Sequence, residues 1–181
     1  VAWSPADRIA ALVAEIGPDE VVAWCADLLA GRVGPAAAER PPLTWLGGRH
    51  AVALLDREQV VDPTHAYWVR VWAARGLLHA YAPAAGRDVV AALADEAWRV
   101  RELAAKVVAR WEVGEASDAV ALLVTDDVPR VRAAAVRAIG VVGEAEHAAG
   151  VRGALDDAEP AVRRAADTAL HRLRVRLDRD L

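Results

Sequence analysis

WRVRELAAKVV, from Trp98 to Val108, is the stretch whose reading decides the fold. Its Val100-Arg101 pair returns as Val131-Arg132 and Val162-Arg163, each 31 residues further on, and stands 31 residues earlier as Val69-Arg70. Three and four positions after each valine come Trp72-Ala73, Leu103-Ala104, Ala134-Ala135 and Ala165-Ala166. A further turn brings Gly76-Leu77, Val107-Val108, Ala138-Ile139 and Ala169-Leu170. Apolar or small residues at i, i+3, i+4, i+7 and i+8 make one face of a helix, so each unit holds an amphipathic helix on a fixed grid. A period of this length marks a repeat architecture, in which no unit hides its apolar stripe alone.

Composition agrees with an all-α chain. Of its 181 residues, 55% are hydrophobic, with seven Trp, two Tyr and neither Phe nor Met. Alanine favours helix and the β-branched runs are short. A net charge of −4 speaks against an overall attraction to nucleic acid or anionic membrane. The single cysteine excludes an internal disulfide framework, and Cys25 lies in an apolar segment that suits a buried, inert thiol. No apolar run approaches the ~20 residues that span a bilayer, and no charged-then-apolar leader is visible. The expectation is a soluble, cytoplasmic protein. Val1 fits either an alternative start codon or a missing leader.

Taken in order, Ser4-Pro5 starts a helix that Gly17 stops, and Pro18 opens a second through about Ala30. Residues 31 to 42 read as a loop, rich in Gly and Pro. A third helix is expected from about Leu43 to Arg57, although its Gly47-Gly48 pair costs about 2 kcal/mol relative to alanine. Close approach of a neighbouring backbone explains that pair, and so does a passing ligand. From Asp62 the grid holds, with helices expected at about 63–81, 87–94, 96–112, 115–124, 128–141, 144–155 and 159–177. Turns carrying Asp95-Glu96, Asp126-Asp127 and Asp156-Asp157 precede the second helix of each pair, and Pro129 and Pro160 stand near its start.

An Asp-rich turn, a Pro, then Val-Arg and an alanine-rich run resembles the HEAT-repeat family in its short bacterial form, over about Pro63 to Leu177. The resemblance implies an α-solenoid, a HEAT-like α-α superhelix of about five helical hairpins, with second helices lining the concave side. The chain is read as a single HEAT-like repeat domain over residues 1–181. Within it, 1–42 form a degenerate N-terminal hairpin and loop, followed by repeats 43–85, 86–114, 115–143 and 144–181.

Arg70, Arg101, Arg132 and Arg163 form a column that looks like a phosphate clamp. Each lies about 100° from its buried valine, however, which puts it at the helix flank beside a neighbouring Asp turn. Pairing with acids such as Asp126, Asp127, Asp156 and Asp157 is the expectation. Positions opposite the core give Tyr67, Val71, Leu78, Trp98 and Val136 as the floor of a groove, with Glu102 on the same face. Arg75, Lys106 and Arg137 edge it. Such an apolar face suits a partner's peptide or helix, with Tyr67, Val71, Arg75, Trp98, Glu102, Lys106 and Arg137 as contacts. The alternative arrangement covers Tyr67, Val71 and Leu78 with the N-terminal hairpin and lays Trp98 over a neighbouring turn.

The five histidines show no metal spacing, and no nucleophile, P-loop or dinucleotide motif occurs, so no cofactor, metal or catalytic residue is expected. The expected role is a non-catalytic protein-interaction scaffold for a partner with apolar and acidic groups. A second resemblance, to DNA alkylation-repeat glycosylases built of HEAT-like repeats, supplies the alternative: Trp98, Arg101 and Glu102 loosely suit a lesion-binding set. A bilin-lyase-like relative is a third reading, with nothing specific behind it.

Overall fold

The computed structural model describes residues 3–34, 41–55, 63–178 and 180 of the chain. Every regular element among them is helical. Two compact units divide between Asp88 and Val89, three residues into the repeat expected to begin at 86.

Unit 1 contains α1 (Pro5–Ile16), α2 (Pro18–Leu29), α3 (Thr44–Gly47), α4 (Arg49–Leu55), α5 (Pro63–Leu77) and a 3-10 turn, Pro83–Ala85. Ser4 and Asp7 form a capping box at the start of α1, with the Ser4 hydroxyl accepting from the Asp7 N–H at 3.2 Å and Asp7 accepting from the Ser4 N–H at 3.0 Å. These bonds from Ser4 hold the Asp7 carboxyl below the usual carboxylate range. α5 packs on α2 and also touches α1 and α3. Leu12, Trp24, Cys25, Leu28, Trp72 and Leu77 are buried there. Burial pushes the Cys25 thiol up to about 12, as an inert core cysteine requires. Arg32, beyond α2, holds both oxygens of Asp88 at 2.8 Å and Asp27 at 2.9 Å.

The third helix differs from expectation. It is broken into α3 and α4 at Gly48, whose φ of 58° and ψ of −142° no side chain adopts comfortably. Arg8 explains the break: its guanidinium lies 3.0–3.2 Å from where a Gly48 Cβ would stand. A Gly47 Cβ would meet Ala51 at 2.6 Å and the Trp72 ring at 2.8–2.9 Å. The glycine pair is thus accounted for by close packing inside unit 1. The expected end of this helix near Arg57, most of the 31–42 loop (residues 35–40), Asp62 and Val1 lie outside the described residues.

Unit 2 begins within α6 (Gly86–Ala92) and holds α7 (Trp98–Trp111), α8 (Ser117–Ala121), α9 (Pro129–Val142), α10 (Ala148–Gly153) and α11 (Pro160–Leu177). α9 packs between α7 and α11, with α8 against α9 and α10 against α11. The helices expected at 115–124 and 144–155 are shorter than their pattern, because each begins and ends in a 3-10 turn. Val100, Val131 and Val162 are each 0% exposed, and Val69 of unit 1 is buried as well.

One hydrogen-bond pattern repeats through unit 2 at the 31-residue interval. Arg101 donates from Nε and Nη2 to the two oxygens of Asp126, at 2.7 and 3.1 Å, and from Nη1 to the carbonyls of Asp95 and Glu96. Arg132 does the same with Asp157, at 2.6 and 2.9 Å, and with the carbonyls of Asp126 and Asp127. Each aspartate also accepts from an N–H two residues on: Ala97 to Asp95, Val128 to Asp126, Glu159 to Asp157. Arginine therefore staples its own turn to the next one, using carboxylates Asp126 and Asp157. The neighbouring Asp127 gives only its carbonyl. The column expected from sequence is structural in these two steps. Arg163 keeps the carbonyl bonds, to Asp157 and Ala158 at 2.7 and 2.8 Å, without a carboxylate among the described residues.

Bidentate, mostly buried pairs of this kind are worth more than surface ion pairs. Arg132→Met should lower unfolding free energy in urea by about 2–3 kcal/mol, and Arg163→Met by less than about 1 kcal/mol. The Arg132 guanidinium holds the Asp157 carboxyl below its usual range. That stabilisation is complete above the ordinary aspartate pKa of about 4 and is lost as pH falls through the lowered folded value. The stability loss of wild type over that acid window should be shallower in Arg132→Met; parallel pH curves would refute the staple.

Candidate functional site

Residues 98, 102 and 106 follow one another at i, i+4 spacing, so Trp98, Glu102 and Lys106 share a stripe of α7. Trp98 takes the first helical position, which Pro129 and Pro160 hold in the next two repeats. Two guanidinium groups lie over its half-buried ring, Arg99 at 4.3 Å and Arg130 of α9 at 5.7 Å from the ring centroid. Glu102 is a buried carboxylate, 7% exposed. It accepts from Lys106 Nζ at 2.8 Å and from Arg130 Nε at 3.3 Å, which neutralise it from two helices.

Charge is sorted along this unit. Arginines and Lys106 recur on α7, α9 and α11, whose only carboxylates are Glu102 and Asp167. The remaining acids of unit 2 stand in the turns, the short first helices and the C-terminal end. A chain of net charge −4 thus presents a row of cations at Arg99, Arg130, Lys106 and Arg137. Arg137 is exposed.

Of the expected groove, unit 2 brings together Trp98, Glu102 and Lys106, and adds Arg130, which sequence reasoning missed. The 31-residue grid carried the signal, because Arg130 is the repeat equivalent of Arg99. Arg137 occupies the Lys106 position one repeat on. Tyr67, Val71 and Arg75 belong to unit 1. Val71 is a correction: at 1% exposure it is core, because α5 is covered by α1, α2 and α3, which was the alternative arrangement. Tyr67 is half-buried and stacks on Trp68 at 5.3 Å, and Arg75 is half-buried. Val136, expected on the floor, is 0% exposed, as are Ala105 and Ala135 beside it. An apolar floor through Val71 and Val136 therefore does not exist. Helix approach is the reason: a Cβ at Gly140 would stand 2.8 Å from Ala169 Cα, so α9 and α11 lie too close to leave positions between them open.

A cleft of ≈ 490 Å³ opens instead where these helices end. Glu112, Gly140, His171, Arg172, Val175 and Arg176 line it. Glu112 caps α7 in the left-handed conformation, and Val175 is 69% exposed. Arg176 approaches Glu144 at 3.6 Å. On α9, Arg137 lies one turn before Gly140 on the same face, which joins the cation row to the cleft.

Chemically, the arrangement offers guanidinium and ammonium groups beside an indole ring. Glu102 sits between two cations, so its carboxylate is engaged. No group of three His, Cys, Asp or Glu suited to a metal occurs among the described residues, and none of their helices is long and apolar enough to cross a membrane. Neither protein-family models nor curated proteins give a match to this chain.

Ion pairing separates the two exposed-face lysine and arginine positions. Lys106→Glu would set a second carboxylate against buried Glu102 and should cost about 1–3 kcal/mol in urea unfolding. Arg137→Glu, which breaks no bond among the described residues, should change stability by no more than about 0.5 kcal/mol. Equal effects would show that Glu102 is not held as described.

Proposed function

We propose that the chain is a short HEAT-like α-solenoid of about five helical hairpins, acting as a non-catalytic scaffold in the cytoplasm. On this reading its partner is a protein segment with acidic and apolar groups, taken up along α7, α9 and α11. The sorting of charge supports it: cations gather on these three helices of an acidic chain, beside Trp98 and the Val175 cleft. Aromatic and arginine side chains are the usual anchors of such interfaces. Steering by the cation row would favour acidic partners and would weaken with salt. The contact set becomes Trp98, Arg130, Arg137 and the cleft residues, with Glu102 pairing both Arg130 and Lys106.

The same cations suit nucleic-acid phosphates, and Trp98 suits a stacked base, so a DNA alkylation-repeat-like role is the second reading. Two observations weigh against it. Net charge is negative, and Glu102, the carboxylate that would steady a cationic sugar, is buried between Lys106 and Arg130.

Selection from a displayed peptide library at low salt should return sequences with Asp or Glu flanking an apolar residue. Trp98→Ala combined with Arg137→Glu should weaken the selected peptide by at least about tenfold, with unchanged helical content and melting temperature. Failure to enrich acidic peptides, together with a salt-sensitive mobility shift of single- or double-stranded DNA that the double variant loses, would replace this proposal with the nucleic-acid reading.

A further inference from the structure

The last arginine of the column has one edge of its guanidinium open. Arg163 is exposed and donates from Nη1 to the carbonyls of Asp157 and Ala158 at 2.7 and 2.8 Å, the own-turn bonds that Arg101 and Arg132 also make. In those two arginines the other edge, Nε with Nη2, holds both oxygens of an aspartate 25 residues on. No carboxylate among the described residues meets that edge of Arg163. Its guanidinium is fixed all the same, since Asp157, whose carbonyl holds it, is clamped in turn by Arg132.

A second gap lies two residues before that turn. Leu155 is 38% exposed, whereas Val124, its equivalent one repeat earlier, is 7% exposed and stands 4.0 Å from where a Cβ on Gly150 of α10 would lie. The hairpin of α10 and α11 thus seats on the repeat before it at two points, its Asp157 on Arg132 and its α10 on Val124. Arg163 and Leu155 repeat both points, uncovered. The flank of α11 differs from that of α9, however. Ala133, Val136 and Gly140 are buried, and the residues 31 further on, Arg164, Asp167 and His171, are exposed. A helix cannot approach α11 as α11 approaches α9, because even a Cβ at the Gly140 position would stand 2.8 Å from the neighbouring backbone. What fits is a segment held at its start, without an alanine face along its length.

We propose that Arg163 and Leu155 form a docking point at the end of the unit 2 stack for a partner protein's helix that begins with an aspartate and carries an apolar side chain close by. Both internal pairs use aspartate, and its short side chain accepts from the fork and from the N–H two residues on at once, as Asp126 does with Val128 and Asp157 with Glu159. An exposed ion pair is ordinarily weak, but here the guanidinium is already oriented by its carbonyls, so less freedom is lost on binding. The site uses neither Trp98, Arg130, Arg137 nor the cleft, and it stands apart from the face proposed for the acidic segment.

The test selects a displayed library of short helix-forming peptides on the full chain, with Arg163→Gln as the counter-target. Retained sequences should place Asp immediately ahead of the helical run. A synthetic peptide of that sequence should bind at least about tenfold more weakly after either Asp→Asn in the peptide or Arg163→Gln in the protein, with little further loss when both are changed. Trp98→Ala should bind it as wild type does, which separates this site from the other face. Circular dichroism checks the fold of the variant; should Arg163→Gln not fold, Arg163→Lys carries the same comparison, with weaker binding expected from loss of the fork. Failure of any peptide to distinguish wild type from the folded variant, or fully additive losses, would overturn the proposal. Self-association of the free chain that Arg163→Gln abolishes would give the fork to a second copy and overturn it likewise.

Discussion

Arg101 and Arg132, each following a buried valine, join neighbouring turns, and the order of unit 2 depends on them. A bare stack of amphipathic helices slides easily, because alanine-rich faces offer few distinct fits. The guanidinium of Arg101 or Arg132 removes that freedom by holding two carbonyls of its own turn and both oxygens of the next aspartate. The same aspartate accepts an N–H at the entry to its helix. One residue therefore sets where a helix begins and how far it lies from the one before. The geometry costs little, because a planar fork and a carboxylate are already matched in shape.

Small residues do the complementary work. Gly140 lies against Ala169, and Gly76 against Cys25 and Leu46, at distances no Cβ would tolerate. Helices that approach this closely bury both flanks as well as the core stripe. Surface left for function is consequently narrow and polar: the first turn of each second helix, the exposed edge and the helix ends. Trp98, Arg130 and Arg137 occupy the first two, and the ≈ 490 Å³ cleft occupies the last.

The two units handle charge by different means. In unit 2 the buried carboxylate of Glu102 is met by Lys106 and Arg130, so a charged cluster is closed and a cation excess is displayed around it. In unit 1 Arg32 meets Asp27 and Asp88, while Arg8 donates to the carbonyls of Trp3, Trp45 and Leu46. The closed Glu102 cluster supports the surface around Trp98.

Read alone, the sequence determined the all-α class, the 31-residue grid and the second helices of unit 2 to within a residue or two, whereas the helix from Pro63 ends at Leu77, short of the expected Tyr81. It also determined the Ser4-Pro5 start, the aspartate turns and the pairing of Arg101 and Arg132 with them. All of these are local: periodicity reports which way a side chain points about its own helix axis, and caps act within four residues. Tertiary structure alone decided that Val71 and Val136 are covered and that Gly48 breaks a helix beneath Arg8. Those outcomes depend on the distance between helix axes and on contacts between residues far apart in the chain. A hydrophobic pattern fixes the direction of a face but carries no measure of how closely its neighbour comes.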